Sequence, residues 1–298
     1  MQKHITTFAG VSLVVLVAAT ALHPLEGLAQ DTADRAATVL AAARQALGGE
    51  ARLASVKGIQ AAGEFRRSMG EMQMDGELEI LLETPDKLRR NEDLNMPGGA
   101  TMDRTEVLNG TEVWDDSGQR GGMGHGMAIV MRGPGGDADP ERVKDMQRRM
   151  RRADLMRFSL AWLLTSDAIV SHAGVAEAPD GKADVLEFTP AEGPVVRLFV
   201  DQQTHLPLML TWQGPQPRMM VRRMGAGSRE DAERAAREAA EAPPVEATFE
   251  MRLGRYETVD GIQLPHEITR AINGHTNEEW TIKSYKLNPS FKSNTFTR

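Results

Sequence analysis

Glu77-Leu78-Glu79-Ile80-Leu81-Leu82-Glu83 decides the fold class. Leu78, Ile80 and Leu82 fall on one side of an extended chain, Glu77, Glu79 and Glu83 on the other, and only Leu81 is out of step. A period of two is the signature of a strand with one face packed and one face wet. The pattern recurs in Leu206, Leu208, Leu210 and Trp212, and again in Phe249, Met251 and Leu253. Val195–Val200 is apolar on both faces apart from Arg197, which predicts a strand covered on both sides. Asp75-Gly76, Asn109-Gly110, Asp180-Gly181, Asp260-Gly261 and Asn273-Gly274 punctuate these runs. Such dipeptides between alternating segments predict hairpins, and so an antiparallel meander.

Strand signals run to Leu108 and resume near Ala183 with Val185–Thr189, Val195–Asp201, Leu206–Trp212 and Arg218–Arg223. They close with Ala247–Thr258, Ile262–Ile272 and Thr276–Leu287. A mostly β chain with helices (α+β) and about a dozen strands exceeds what a flat sheet carries without curling or closing.

Helical spacing appears in three places. Asp31–Leu47 is amphipathic, with Ala33, Ala36, Leu40, Ala43 and Leu47 on one face, Asp31 or Thr32 as cap and Gly48-Gly49 as stop. An insertion at 118–158 combines a glycine- and methionine-rich loop, Gly118–Gly136, with a helix over Pro140–Phe158. That helix carries Val143, Met146, Met150 and Ala153 on one face and Arg142, Lys144, Arg148, Arg149, Arg151 and Arg152 on the other. Two readings stand: a solvated charged face, or a lid whose apolar stripe covers a cavity while its arginines meet anionic headgroups. A second insertion, 225–244, reads as an alanine- and glutamate-rich helix.

The N-terminus reads as a cleavable export signal. Lys3 and His4 precede the uncharged run Phe8–Leu22, Pro24 and Gly27 break it, and Gly27-Leu28-Ala29 places small residues for cleavage near Ala29. The alternative is an uncleaved anchor, though the run falls short of the roughly 20 apolar residues of a spanning helix. No later stretch suits a membrane, because Leu155–Val170 contains Arg157, Thr165, Ser166 and Asp167. The mature chain, 30–298, is expected to be one domain, since about 270 residues bury a sizeable core without disulfides.

The chain has no cysteine, which excludes disulfides, thiolate metal sites, cysteine nucleophiles and acylation at a processed N-terminal cysteine. Its net charge of −7 argues against general nucleic-acid binding. Catalytic motifs are weak. His266-Glu267-Ile268-Thr269-Arg270 lacks the second histidine of a zinc-protease helix and lies beside Pro265 in a strand, where a sheet-surface histidine is expected. His266 and His275 flank the Asn273-Gly274 turn but have no third ligand nearby. No Gly-x-Ser-x-Gly elbow exists; Ser117 and Ser228 read as loop residues, and Gly122–Gly126 does not join a buried strand to a helix. Asn109-Gly110-Thr111 reads as turn chemistry rather than a glycosylation site. No catalytic residue, metal or cofactor is expected. Seventeen methionines against two tyrosines fit either core filling or a cavity that accepts varied apolar shapes.

Several segments carry a family resemblance. The helix ending in Ala46-Leu47-Gly48-Gly49, Leu78–Arg90 with Thr84-Pro85, and Leu108-Asn109-Gly110-Thr111-Glu112-Val113-Trp114 are the first of them. Val185–Pro190, Leu198-Phe199-Val200-Asp201, Leu206-Pro207 and Tyr256–Pro265 extend the set. Together the chain resembles the periplasmic lipoprotein carriers of the LolA/LolB type and the broader group of exported proteins with that fold. The resemblance implies an unclosed antiparallel barrel of about 11–12 strands with helices over its concave mouth. It also implies a periplasmic monomer that holds lipid or the acyl chains of lipoproteins and performs no chemistry. Leu78, Ile80, Leu82, Val196, Leu198, Phe249 and Met251 are then candidates to line the concave face, with Met146 and Met150 as lid contacts. Carriers of this type have a lid-tethering arginine before the proline of the second strand, where this chain has Thr84. The other role open to the same fold is an envelope sensor or protein-interaction domain, acting through the two insertions.

Overall fold

The computed structural model describes residues 25–69, 72–95, 99–120, 140–164, 168–178, 181–216 and 245–298. The chain opens with helix α1 (Leu25–Leu47) and the short α2 (Glu50–Ser55). Five strands follow: β1 (Gly58–Met69), β2 (Met72–Glu83), β3 (Lys87–Asn95), β4 (Thr101–Asn109) and β5 (Glu112–Arg120). Helix α3 (Pro140–Ala161) leads to β6 (Ile169–Ala178), β7 (Gly181–Thr189), β8 (Val196–Asp201) and β9 (Pro207–Pro215). The last strands are β10 (Glu246–Val259), β11 (Ile262–Ile272) and β12 (His275–Leu287).

All twelve strands form one antiparallel sheet in the order β5-β4-β3-β2-β1-β12-β11-β10-β9-β8-β7-β6. Two meanders are thus joined by pairing the first strand with the last, and among the described residues β5 and β6 remain as open edges. One contiguous core runs from Val113 on β5 to Phe188 on β7 and takes in both long helices, so the sheet is curled around it. The face toward that core is called the inner face.

Four of the five expected hairpins join paired strands, the one at Asp180-Gly181 through a turn that lies partly outside the described residues. Asp260-Gly261 and Asn273-Gly274 both adopt positive φ at each residue, the geometry of the tight turn that matches strand twist. Asp75-Gly76 is the exception: it lies inside β2, with Gly76 opposite Phe65 of β1. A Cβ on Gly76 would stand 2.7 Å from the Phe65 ring and 2.5 Å from the Asp93 carbonyl oxygen. The glycine serves close packing rather than a turn. Gly76→Val is therefore expected to destabilise the protein by about 1–3 kcal/mol, read from the denaturant midpoint; an unchanged midpoint would refute this account.

Other boundaries shift for local reasons. α1 begins at Leu25, ahead of the expected Asp31 cap and through the expected cleavage position at Ala29. Most residues from Leu25 to Gln30 favour a helix, and Pro24 cannot continue one upstream. The packed side of α1 is Ala36, Val39, Ala43 and Leu47, whereas Ala33 is exposed. Gly118 and Ser117 belong to β5 rather than to a loop, and α3 continues to Ala161. β6 was not marked as a strand, although the expected Asp180-Gly181 turn requires one before it. The 225–244 helix, the Arg218–Arg223 strand, Gly122–Gly126, Ser228 and residues 1–24 lie outside the described residues.

The outer face is covered in two places. Phe199 joins Ala176, Ala183, Val185 and Met209 there, while Val196, Leu198 and Val200 point inward, so the two-sided apolarity of this strand is used on both faces. Leu81, the residue out of step in β2, packs outward with Val107 and Phe296. The C-terminal segment lies over them: Phe291 and Phe296 meet edge to face, and Arg89 Nη1 donates to the Thr295 carbonyl oxygen at 2.7 Å.

Candidate functional site: the inner face beneath α3

Strand parity assembles the inner face. Ile59, Ala61 and Phe65 of β1 pair in register with Leu82, Ile80 and Gly76 of β2, and Leu82 continues to Leu88 and Leu108 on β3 and β4. On the far side Met251, Leu210, Leu198 and Leu186 align across β10, β9, β8 and β7. Leu78, Ile80, Leu82, Val196, Leu198 and Met251 are all buried in this core. Phe249 is half-buried and stacks on Trp212 with ring centroids 5.7 Å apart. The sequence candidates therefore share one face and one core. α1 and α3 pack side chains of their own into that face. A cleft of about 620 Å³ lies on the outer face, where Glu64, Glu77, Glu79, Arg89, Asn91 and Asp93 make it polar.

α3 packs through a stripe that its sequence disguised. Met150 is 53% exposed and does not touch the inner face; Met146 is half-buried. The buried stripe is Arg151, Leu155 and Phe158, followed by Trp162 just past the helix. An arginine within the stripe hid it from a search for apolar spacing. Over the β4–β5 edge the helix is held by charge. Lys144 Nζ is 3.0 Å from Glu112, Gln147 donates to Asp115 at 3.0 Å, and Arg151 reaches Glu106 at 2.7 Å and Asp115 at 3.1 Å. Toward the centre the contacts are aromatic: Phe158 stacks on Trp162 and Trp280, and Trp162 meets Tyr285 edge-on. Arg157, paired with Asp154 at 2.8 Å, lies 4.1 Å over the Trp212 ring. Thr84 donates its N–H to Lys57 O at 2.9 Å, at the foot of β2.

Beneath α3 lies an ionic cluster that the sequence did not suggest. Arg67 Nη2 bridges Glu92 at 2.9 Å and Glu278 at 2.8 Å; Arg90 contacts both carboxylates, and Arg270 approaches Glu278 at 3.5 Å. Arg90 and Arg270 also sit 5.0 and 5.5 Å from the Trp280 ring centre. Burial works to raise the Glu92 carboxyl, but Arg90 and Arg67 outweigh it and hold it down at about 2. Glu278 is likewise lowered against its burial by Arg90, Arg270 and Arg67. The signal was present: Leu88, Arg90, Glu92 and Leu94 share one side of β3, so the two charges occupy inward positions between two leucines.

The histidines do not form a catalytic pair. His266 is buried rather than on the sheet surface; its Nδ1 lies 2.8 Å from Ile282 O, and its ring meets Tyr285 edge-on. His275 pairs with Ile272, six residues along β11 from His266, or about 20 Å at strand rise. A cluster missed by sequence reading is Asp184, which contacts His172 Nε2 at 2.8 Å and Arg35 of α1 at 3.2 Å, fastening α1 near the β6 edge. Among the described residues no group of three or more His, Asp or Glu side chains could hold a metal, and no helix is long and apolar enough to cross a membrane.

No family model matches the chain, and no curated protein matches it. Solved structures similar to it include a LolA superfamily protein from Nitrosomonas europaea, 13% identical, covering 88% of this chain and 97% of that one at a TM-score of 0.48. A proposed outer membrane lipoprotein-sorting protein domain from Vibrio parahaemolyticus is 11% identical over 88% and 97%, with a TM-score of 0.42. A DUF1329 family protein from Desulfovibrio piger is 10% identical over 88% and 96%, also at 0.42. Identities this low and superpositions this loose leave the site to be read from its own residues. What stands on those residues is an unclosed twelve-stranded antiparallel sheet whose apolar inner face is roofed by two helices.

Proposed function

We propose that this protein is an exported periplasmic carrier, monomeric and without catalysis, that holds the acyl chains of a lipid or lipoprotein on its inner face when α3 lifts away. The observation that carries this reading is the divided grip of α3. Over β5 the pair Lys144–Glu112 has solvent access and contributes about 0–1 kcal/mol, whereas Arg151, buried with Glu106 of β4, is the stronger fastening. Its central contacts, Leu155 and Phe158, are apolar, and an acyl chain can replace them at about 25 cal/mol per Å² of apolar surface covered. A roof held this way exchanges its apolar underside for a ligand's once Arg151 is released from Glu106 and Asp115. Residues 1–29 would direct export, and 30–298 would form the single working domain.

The absence of cysteine in the chain makes a direct test available. Glu112→Cys with Lys144→Cys, joined by a short bis-maleimide linker, ties α3 to β5. Uptake of a fluorescent fatty acid is expected to fall at least about tenfold on linking, the equivalent of 1.4 kcal/mol, and to persist in the unlinked double variant. Equal uptake by linked and unlinked protein would overturn the lid. A second reading, an envelope sensor or interaction domain, draws on Met150, exposed between Arg149 and Arg152 on the outer side of α3. It predicts capture of a protein partner that is lost when these three residues are changed and lipid uptake is not.

A further inference from the structure

One register row of the inner face changes character midway. Arg67 on β1, Glu278 on β12 and Arg270 on β11 are followed in line by Met251, Leu210, Leu198 and Leu186 on the next four strands. At about 4.8 Å between neighbouring strands, the apolar stretch reaches about 19 Å from Arg270, the scale of a long acyl chain laid across the sheet. The charged end has a surplus of cations. Arg67, Arg90 and Arg270 converge there on two sheet carboxylates, Glu92 and Glu278. Glu106 also acts on Arg90 but is itself engaged by Arg104 and Arg151. The remaining charges facing the cluster, Asp154 and Arg157, both belong to α3.

The cluster is also incompletely satisfied. Arg90 Nε and Glu92 Oε2 are buried without a hydrogen-bond partner among the described residues. When α3 lifts, Asp154 and its partner Arg157 leave together, and whatever replaces the helix must meet three guanidiniums set against two sheet carboxylates. A neutral chain would cover donors without supplying acceptors, and burying an unpaired charge is expensive. An anionic head supplies charge-assisted acceptors in its place.

We infer that the ligand is an amphiphile with an anionic head, carboxylate or phosphate, seated on Arg67, Arg90 and Arg270 with its chain along Met251, Leu210, Leu198 and Leu186. This rests on the carrier reading and names the chemistry of its cargo. The test uses the delipidated mature protein and three probes of one chain length: palmitic acid, palmitoyl lysophosphatidic acid and neutral monopalmitoyl glycerol. At least one anionic probe is expected to bind about tenfold or more tightly than the neutral ester, in line with a charge-assisted hydrogen bond. The tighter of the two anions identifies the head. Arg270→Gln should remove that advantage. The three-probe comparison on the unaltered protein stands even if the variant does not fold. Equal binding of all three probes would overturn the anionic head and leave the carrier standing. Binding of none would overturn both.

Discussion

Trp280→Ala is expected to lower the unfolding free energy by about 3–5 kcal/mol, the cost of deleting a large aromatic from a packed core. At about 2–4 °C per kcal/mol for a chain of 150–250 residues or somewhat more, the melting temperature falls by roughly 10 °C. Trp280 is fully buried at the centre of the sheet, with Phe65 beside it on β1 and Ile268 on β11. Phe158 stacks above it at 6.0 Å, and Arg90 and Arg270 flank its ring. The residue therefore joins three things at once: the first-to-last strand pairing, the ionic cluster and the underside of α3. Amide exchange in α3 should speed up more than in β10 and β11, because Phe158 loses the surface it rests on. Thermal unfolding with exchange mapping checks both parts, and a loss below about 1 kcal/mol would sink the claim, since that is the size of an ordinary substitution.

Glu278→Ala is the other large effect. It leaves Arg67, Arg90 and Arg270 facing Glu92 alone, and removing one partner from a buried ion cluster costs about 3–5 kcal/mol. The penalty depends on pH in a defined direction. Both Glu92 and Glu278 have folded-state pKa values below their ordinary value of 4.5, so the stability they contribute is complete above that value. It is lost as pH falls toward about 2, the folded-state value of Glu92. As pH falls through the lowered folded-state pKa of Glu278, its wild-type carboxyl becomes neutral. The gap between wild type and variant should therefore be widest near pH 7 and contract as pH falls below 4.5. Urea midpoints at several pH values measure it, and a gap that stays constant with pH would place the destabilisation in lost packing instead of charge.

Alternation made most of the sheet legible. Glu77–Glu83 exposes its parity because its outward residues are glutamates and its inward ones leucine and isoleucine; even Leu81 proved regular once Phe296 was found to cover it. β6 stayed hidden because Ile169-Val-Ser-His-Ala-Gly-Val-Ala-Glu-Ala178 does not alternate, and its pairing with β7 slips between His172 and Gly174. The α3 contact was misassigned for a related reason. Apolar spacing selects Met146 and Met150, but the helix docks through Arg151, whose charge finds Glu106 and Asp115 from the neighbouring strands. Those partners are distant in the chain and invisible from the helix alone. The ionic cluster failed the same way. Arg67, Arg270 and Glu278 acquire their partners only when strand pairing places them side by side.

The pairing of β1 with β12 has a consequence for how the protein comes into being. Every other neighbour in the sheet is also a neighbour in sequence, so each meander can form by local hairpins as the chain emerges. The seam between them joins Ile59 to Leu287, and its second half is the last strand to be synthesised. Until then β1 carries a bare edge and the inner aromatic surface has no floor at Trp280. A nascent chain therefore passes through a stage with two unjoined half-sheets and open edges at the future centre, a form prone to pairing with the wrong strand. A truncation that removed only β12 would trap the molecule there, at the cost of the whole sheet's continuity rather than of one edge.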